Sequence, residues 1–110
     1  GGGSPEVHVP ILSINGNEVT VHVGTQPHPM LSVHYIQWIV LECANSRQCR
    51  FLVPGQEPKA TFLLTDGDQV EAAYAYCNIH GFWASQICYH SGTGTLSRHR
   101  CQPFAGLPLI

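Results

Sequence analysis

Seven short apolar runs, cut by turn signals and without any helical period, constrain this chain more than any other feature. The clearest runs from Glu18 to Val23, where Val19, Val21 and Val23 alternate with Thr20 and His22, so one face is buried. Asn15-Gly16 ahead of it and Asp66-Gly67 further on are tight-hairpin signals. Val7 to Leu12 reads as the first strand, and Tyr35 to Cys43 as a central strand, apolar on both faces. Arg50 to Val53, Lys59 to Thr65, Gln69 to Cys77 and Trp83 to His90 complete the set. Strands of this length and spacing predict an all-β, seven-stranded β-sandwich.

The remaining segments take their places around that body. Residues 1–5 open with Gly1-Gly2-Gly3-Ser4 and read as a flexible leader, either left by a processed signal peptide or serving as a linker. Residues 6–90 form the sandwich. Residues 91–110, rich in Gly, Ser, Thr and Pro, read as an irregular C-terminal extension wrapped on the body. A chain of 110 residues, 44% of them apolar, can bury one core. Only 11% of residues are charged and the formal net charge is −2, so no basic patch points to nucleic acid. No stretch of 18 apolar residues occurs to give a membrane span. The neutral surface suits a homo-oligomer or a partner subunit; a soluble monomer covered in Ser, Thr, Gln and Asn is the plain alternative.

The five cysteines are an odd number. If Cys77 holds a metal, four remain for two bridges. Cys43 and Cys49 flank the polar turn 44–48, where opposed hairpin positions lie at disulfide distance. Cys88 and Cys101 would tie the tail to the body. Two disulfides predict an exported protein, periplasmic or extracellular; reduced cysteines would fit the cytoplasm.

The chemistry concentrates in a few places. Pro27-His28-Pro29 holds one imidazole on a stiff loop. Cys77 and His80 stand three positions apart in Tyr76-Cys77-Asn78-Ile79-His80-Gly81-Phe82-Trp83. With His8 and His34 they fall at strand ends or in loops, which can converge at one end of a sandwich. Imidazole and thiolate together suit iron, copper or zinc and exclude calcium and magnesium.

Three stretches now carry a resemblance. Glu6-Val7-His8-Val9-Pro10, then Pro27-His28-Pro29-Met30 with His34-Tyr35-Ile36-Gln37-Trp38-Ile39, then the stretch around Cys77, are together similar to the superoxide reductase family, which includes neelaredoxin and the iron domain of desulfoferrodoxin. The resemblance runs from about Glu6 to Ala84, in the family's order. It implies an immunoglobulin-like sandwich and a mononuclear non-haem iron that reduces superoxide to hydrogen peroxide. It implies equatorial imidazoles at His8, His28, His34 and His80, an axial thiolate at Cys77, and a glutamate at Glu6 that can close the sixth position. An electron-donor protein, rubredoxin-like or a cytochrome, is implied as partner. One position departs. The family usually carries lysine between the glutamate and the first histidine, and here that residue is Val7.

That departure leaves a second reading open: an exported structural, assembly or electron-transfer subunit that keeps the fold, with or without the iron, and has little turnover. A cupredoxin-like copper carrier would need a weak axial ligand soon after the histidine, and Met30 is the only methionine. A structural zinc site usually takes four ligands, not five. His22, His90 and His99 read as surface histidines, and Trp38 and Trp83 as packing residues.

Overall fold

The computed structural model describes residues 3–92 and 95–100, with side chains through Ile87. Strands β1 (Pro10–Asn15), β2 (Glu18–Val23) and β5 (Lys59–Leu63) form a three-stranded antiparallel sheet in the order β1-β2-β5. Strands β3 (Ile36–Cys43), β4 (Arg47–Phe51), β6 (Val70–Cys77), β7 (Gly81–Gly92) and β8 (Thr95–Arg100) form the second sheet, in the order β4-β3-β6-β7-β8. The two make the immunoglobulin-like sandwich that the sequence predicts.

Alternation builds the core. Val19, Val21 and Val23 of β2 meet Ala60 and Phe62 of β5, while Ile39, Leu41, Val70, Ala73 and Ala75 come from the facing sheet. Each fully buried Val, Ile, Leu or Phe contributes about 1.5–3 kcal/mol relative to exposure. Ser85 on β7 donates from Oγ to the Pro10 carbonyl at 2.6 Å and so stitches the two sheets together.

Four expectations change. β1 starts at Pro10 rather than Val7, because Pro5–His8 form one helical turn, α1. Proline suits the first turn of a helix, where its missing N–H costs nothing. β4 starts at Arg47 rather than Arg50. The tail expected to be irregular supplies an eighth strand, β8, paired with the second half of β7; its Thr95 and Leu96 suit a strand although Ser97 reads as loop.

The last correction concerns Cys43 and Cys49, which are free thiols. The turn between them is shorter than the spacing suggested, so Cys49 lies opposite Val40 and Cys43 hydrogen-bonds from its N–H to the Ser46 carbonyl. Cys43 is buried and Cys49 is exposed. Cys101 and the Cys88 side chain lie outside the described residues, so the second expected bridge does too. No helix among the described residues is long and apolar enough to cross a membrane.

The register decides where the functional side chains go. Pro10 pairs with Val23, Ile36 with Cys77, and Cys77 with Gly81. The start of β1, the end of β2, the start of β3 and the β6–β7 turn therefore share one end of the sandwich.

Candidate metal centre

Three loops meet at that end. Helix α1 delivers His8. The segment from β2 to β3 delivers His28 and His34. The turn from β6 to β7 delivers Cys77 and His80.

The β2–β3 segment is pinned to α1 by its backbone. Gly24 N–H donates to the Val9 carbonyl at 3.0 Å, and Gln26 N–H to the Glu6 carbonyl at 3.1 Å. Gly24 has φ 86°, and a Cβ there would collide with the carbonyl oxygens of Gln26 and Glu6. Only glycine fits both the dihedral and the approach. Beyond it, Leu31 and His34 exchange backbone hydrogen bonds at 2.9 and 3.0 Å and fix a small turn.

The β6–β7 turn spans Asn78, Ile79 and His80, with Gly81 at φ 83°. A three-residue hairpin loop closes this way, on a glycine in the left-handed region. Asn78 latches it to the neighbouring segment: its Oδ1 accepts from Tyr35 N–H at 2.9 Å and its Nδ2 donates to the Val33 carbonyl at 3.0 Å. His80 N–H donates to Cys77 Sγ at 3.4 Å and aims the sulfur.

The four imidazoles then form a closed circuit. Ring centroids are 4.6 Å apart for His8 and His28, 4.8 Å for His28 and His34, 5.2 Å for His34 and His80, and 4.8 Å for His80 and His8. Neighbouring rings lie nearly edge-on, at 74°, 80°, 72° and 85°. Ligand atoms of His8, His28, His34 and Cys77 all fall within 4.8 Å of one another. His80 stands beside that group, its Nδ1 3.1 Å from His8 Nε2 and 3.9 Å from Cys77 Sγ.

Protonation is set from outside the circuit. His8 Nδ1 lies 2.7 Å from the Ser4 carbonyl, and His28 Nδ1 2.7 Å from the Pro29 carbonyl. A carbonyl only accepts, so both Nδ1 atoms carry the hydrogen and both Nε2 atoms present lone pairs inward. Burial, the largest cause, lowers the pKa of His8, and it pushes His28 down to about 4. His8 and His28 are therefore neutral near pH 7.

A metal ion fits these residues. His34 Nε2 is buried with no hydrogen-bond partner. Buried polar atoms rarely stay unpaired, and this one belongs to the circuit. Imidazole nitrogens with one thiolate suit iron, copper or zinc.

The other candidates fall elsewhere. Glu6 is exposed on α1. Ser4 Oγ donates to its carboxylate at 2.5 Å, which holds its pKa below the usual glutamate value. Its side chain is outside the grouped ligand atoms. His22 is exposed on β2, and the side chains of His90 and His99 are outside the described residues. Trp83 is buried and stacks on His8 at 4.7 Å, whereas Trp38 stacks on Tyr76 on the outer face. The carbonyls of Ser4 and Pro29 and the Asn78 latch leave no side-chain pattern that sequence reasoning could have found.

Comparison with known proteins agrees with this geometry. The desulfoferrodoxin family model matches residues 3–86. A desulfoferrodoxin homolog from Archaeoglobus fulgidus is 49% identical over 83 residues, which cover 73% of this chain and 62% of that protein. The chain thus spans somewhat under two thirds of that relative's length. A superoxide reductase from Pyrococcus horikoshii is 32% identical, over 74% of this chain and 86% of its own. Among solved structures, the superoxide reductase of Treponema pallidum superimposes with a TM-score of 0.74 at 41% identity, covering 76% of this chain and 69% of that one. The chain belongs to the desulfoferrodoxin and superoxide reductase family.

Proposed function

We propose that this chain is an iron-dependent superoxide reductase, in which His8, His28, His34, His80 and Cys77 hold the metal. The observation that carries the reading is the inward convergence of imidazole nitrogens beside one sulfur, with His34 Nε2 left buried and unpaired. Iron held there supplies the electron: one superoxide, one electron and two protons give one hydrogen peroxide.

The chain's own residues supply binding and order. The Ser4 and Pro29 carbonyls fix two imidazole tautomers, as hydrogen-bonded outer groups do around metal-bound histidines. His80 N–H and the end of β6 orient the Cys77 sulfur. Neutral imidazoles leave Cys77 as the one anionic donor, so a ferrous or ferric centre keeps positive charge and attracts an anion. Glu6 sits on the same helical turn as His8 and, in this reading, would supply a carboxylate able to close a free coordination position. Val7, half-buried on that turn, brings no proton and no charge. Turnover is accordingly slower than with lysine there. A rubredoxin-like protein or a cytochrome returns the electron.

Pulse radiolysis tests the reading. Reduced, iron-loaded protein should consume superoxide and yield hydrogen peroxide without oxygen release. Superoxide decay at the buffer rate would contradict it.

A further inference from the structure

We propose that Gly3 is a positioning residue of the metal centre: its lack of a side chain lets the backbone of residues 3 and 4 lie against His8 and His80 and hold both rings. The inference rests on the metal-centre reading above.

The geometry is specific. A Cβ at Gly3 would stand 2.5 Å from His8 Cε1, 2.8 Å from His8 Nδ1 and 2.9 Å from His80 Cγ. Contacts that short require something to move. His8 cannot move easily. It is 1% exposed, its Nδ1 is hydrogen-bonded to the Ser4 carbonyl, and its ring is stacked on Trp83 at 20° between planes. The carbonyl that fixes its tautomer belongs to the residue after Gly3, so a displaced position 3 pulls on that hydrogen bond. His80 is limited on its other side by Cys77 and the Asn78 latch. One added methyl group therefore pushes two neighbouring donors at once. Gly3 and Ser4, expected to belong to a flexible leader, form a wall of the site.

Gly24 needs its glycine for a positive φ and a close backbone approach; at Gly3 the two imidazoles occupy the space a side chain would take. The cost of a larger residue should fall on the metal and spare the sheets, because residue 3 lies outside every strand.

Cobalt(II) titration of the metal-free protein reads this directly, through its thiolate charge-transfer band. The native protein should bind cobalt with that band. Gly3→Ala should bind about tenfold or more weakly with a shifted band, within the range seen when groups behind metal ligands are altered. Gly3→Val should be weaker still. Melting of both metal-free variants should stay within roughly 2 °C of native. Native-like titrations of both variants would overturn the inference, as would a metal-free melting temperature several degrees lower, which would put the effect on the fold. A native protein that takes up no cobalt would defeat the metal-centre reading and this inference with it. Normal native binding with unchanged variants would defeat this inference alone.

Discussion

His8 and His28 face each other Nε2 to Nε2 at 3.1 Å, and each has committed its Nδ1 hydrogen to a backbone carbonyl. Two lone pairs at that distance repel unless a cation lies between or beside them. Burial opposes a proton there, so a metal ion is the better partner. Metal should then stabilise the fold strongly. A ligand at a thousand times its dissociation constant adds about 4 kcal/mol, which in a chain this size raises the melting temperature by roughly 10 °C or more. Calorimetry with and without ferrous iron checks this. A melting temperature unchanged by iron would contradict it.

Acid should weaken the metal-free protein in a defined window. His28 is pushed down to about 4 when folded, against about 6.5 for a free imidazole. Between those values the unfolded chain binds a proton that the folded chain refuses, so stability falls as pH falls. It should be full above pH 6.5 and decline toward pH 4, by on the order of 3 kcal/mol from this group alone. His8 shifts in the same direction. Thermal melts across that range should show the slope, and His28→Gln should flatten it. An equal slope in that variant would assign the effect elsewhere.

Asn78 joins the turn bearing His80 to the segment bearing His34 through two hydrogen bonds. Asn78→Ala strands the Tyr35 N–H and the Val33 carbonyl. The loss should be about 1–2 kcal/mol in urea unfolding of the metal-free protein. Metal affinity should drop several-fold as well, because both flanking imidazoles lose their brace. Full affinity in that variant would show that the loops are held by the sheets alone.

Much of the sandwich was legible because its signals are local. The alternation of Val19, Val21 and Val23 set β2 to its correct ends, and Asn15-Gly16 closes the β1–β2 hairpin; Asp66-Gly67 is a turn but not the expected hairpin, because β5 pairs with β2 and β6 pairs with β3 and β7. The resemblance to the superoxide reductase family named five candidate donors, and the structure gathers His8, His28, His34 and Cys77 with His80 beside them. What escaped depended on register or on backbone atoms. The Cys43–Cys49 pairing failed on a turn shorter than its polar span. Gly3 was read as slack because nothing in a run of glycines says that an imidazole lies against one of them. β8 escaped because a short polar segment such as Ser97-Arg98-His99-Arg100 reads as loop until a neighbouring strand offers its edge.

Val7 offers a clean gain-of-function experiment. Val7→Lys restores a cation and a proton-bearing group on α1, beside His8. Pulse radiolysis should show a faster reaction with superoxide than in the native protein, and a steeper dependence on ionic strength. Equal rates would remove Val7 as a determinant.

The most direct measurement is metal analysis of the iron-loaded protein together with its optical spectrum after oxidation, for native and Cys77→Ser proteins. The native protein should hold one iron ion per chain and show a visible thiolate-to-ferric charge-transfer band, which Cys77→Ser should lose. Iron bound without that band, or a band that survives the substitution, would contradict the claim that Cys77 and its circuit of imidazoles gather around a single metal.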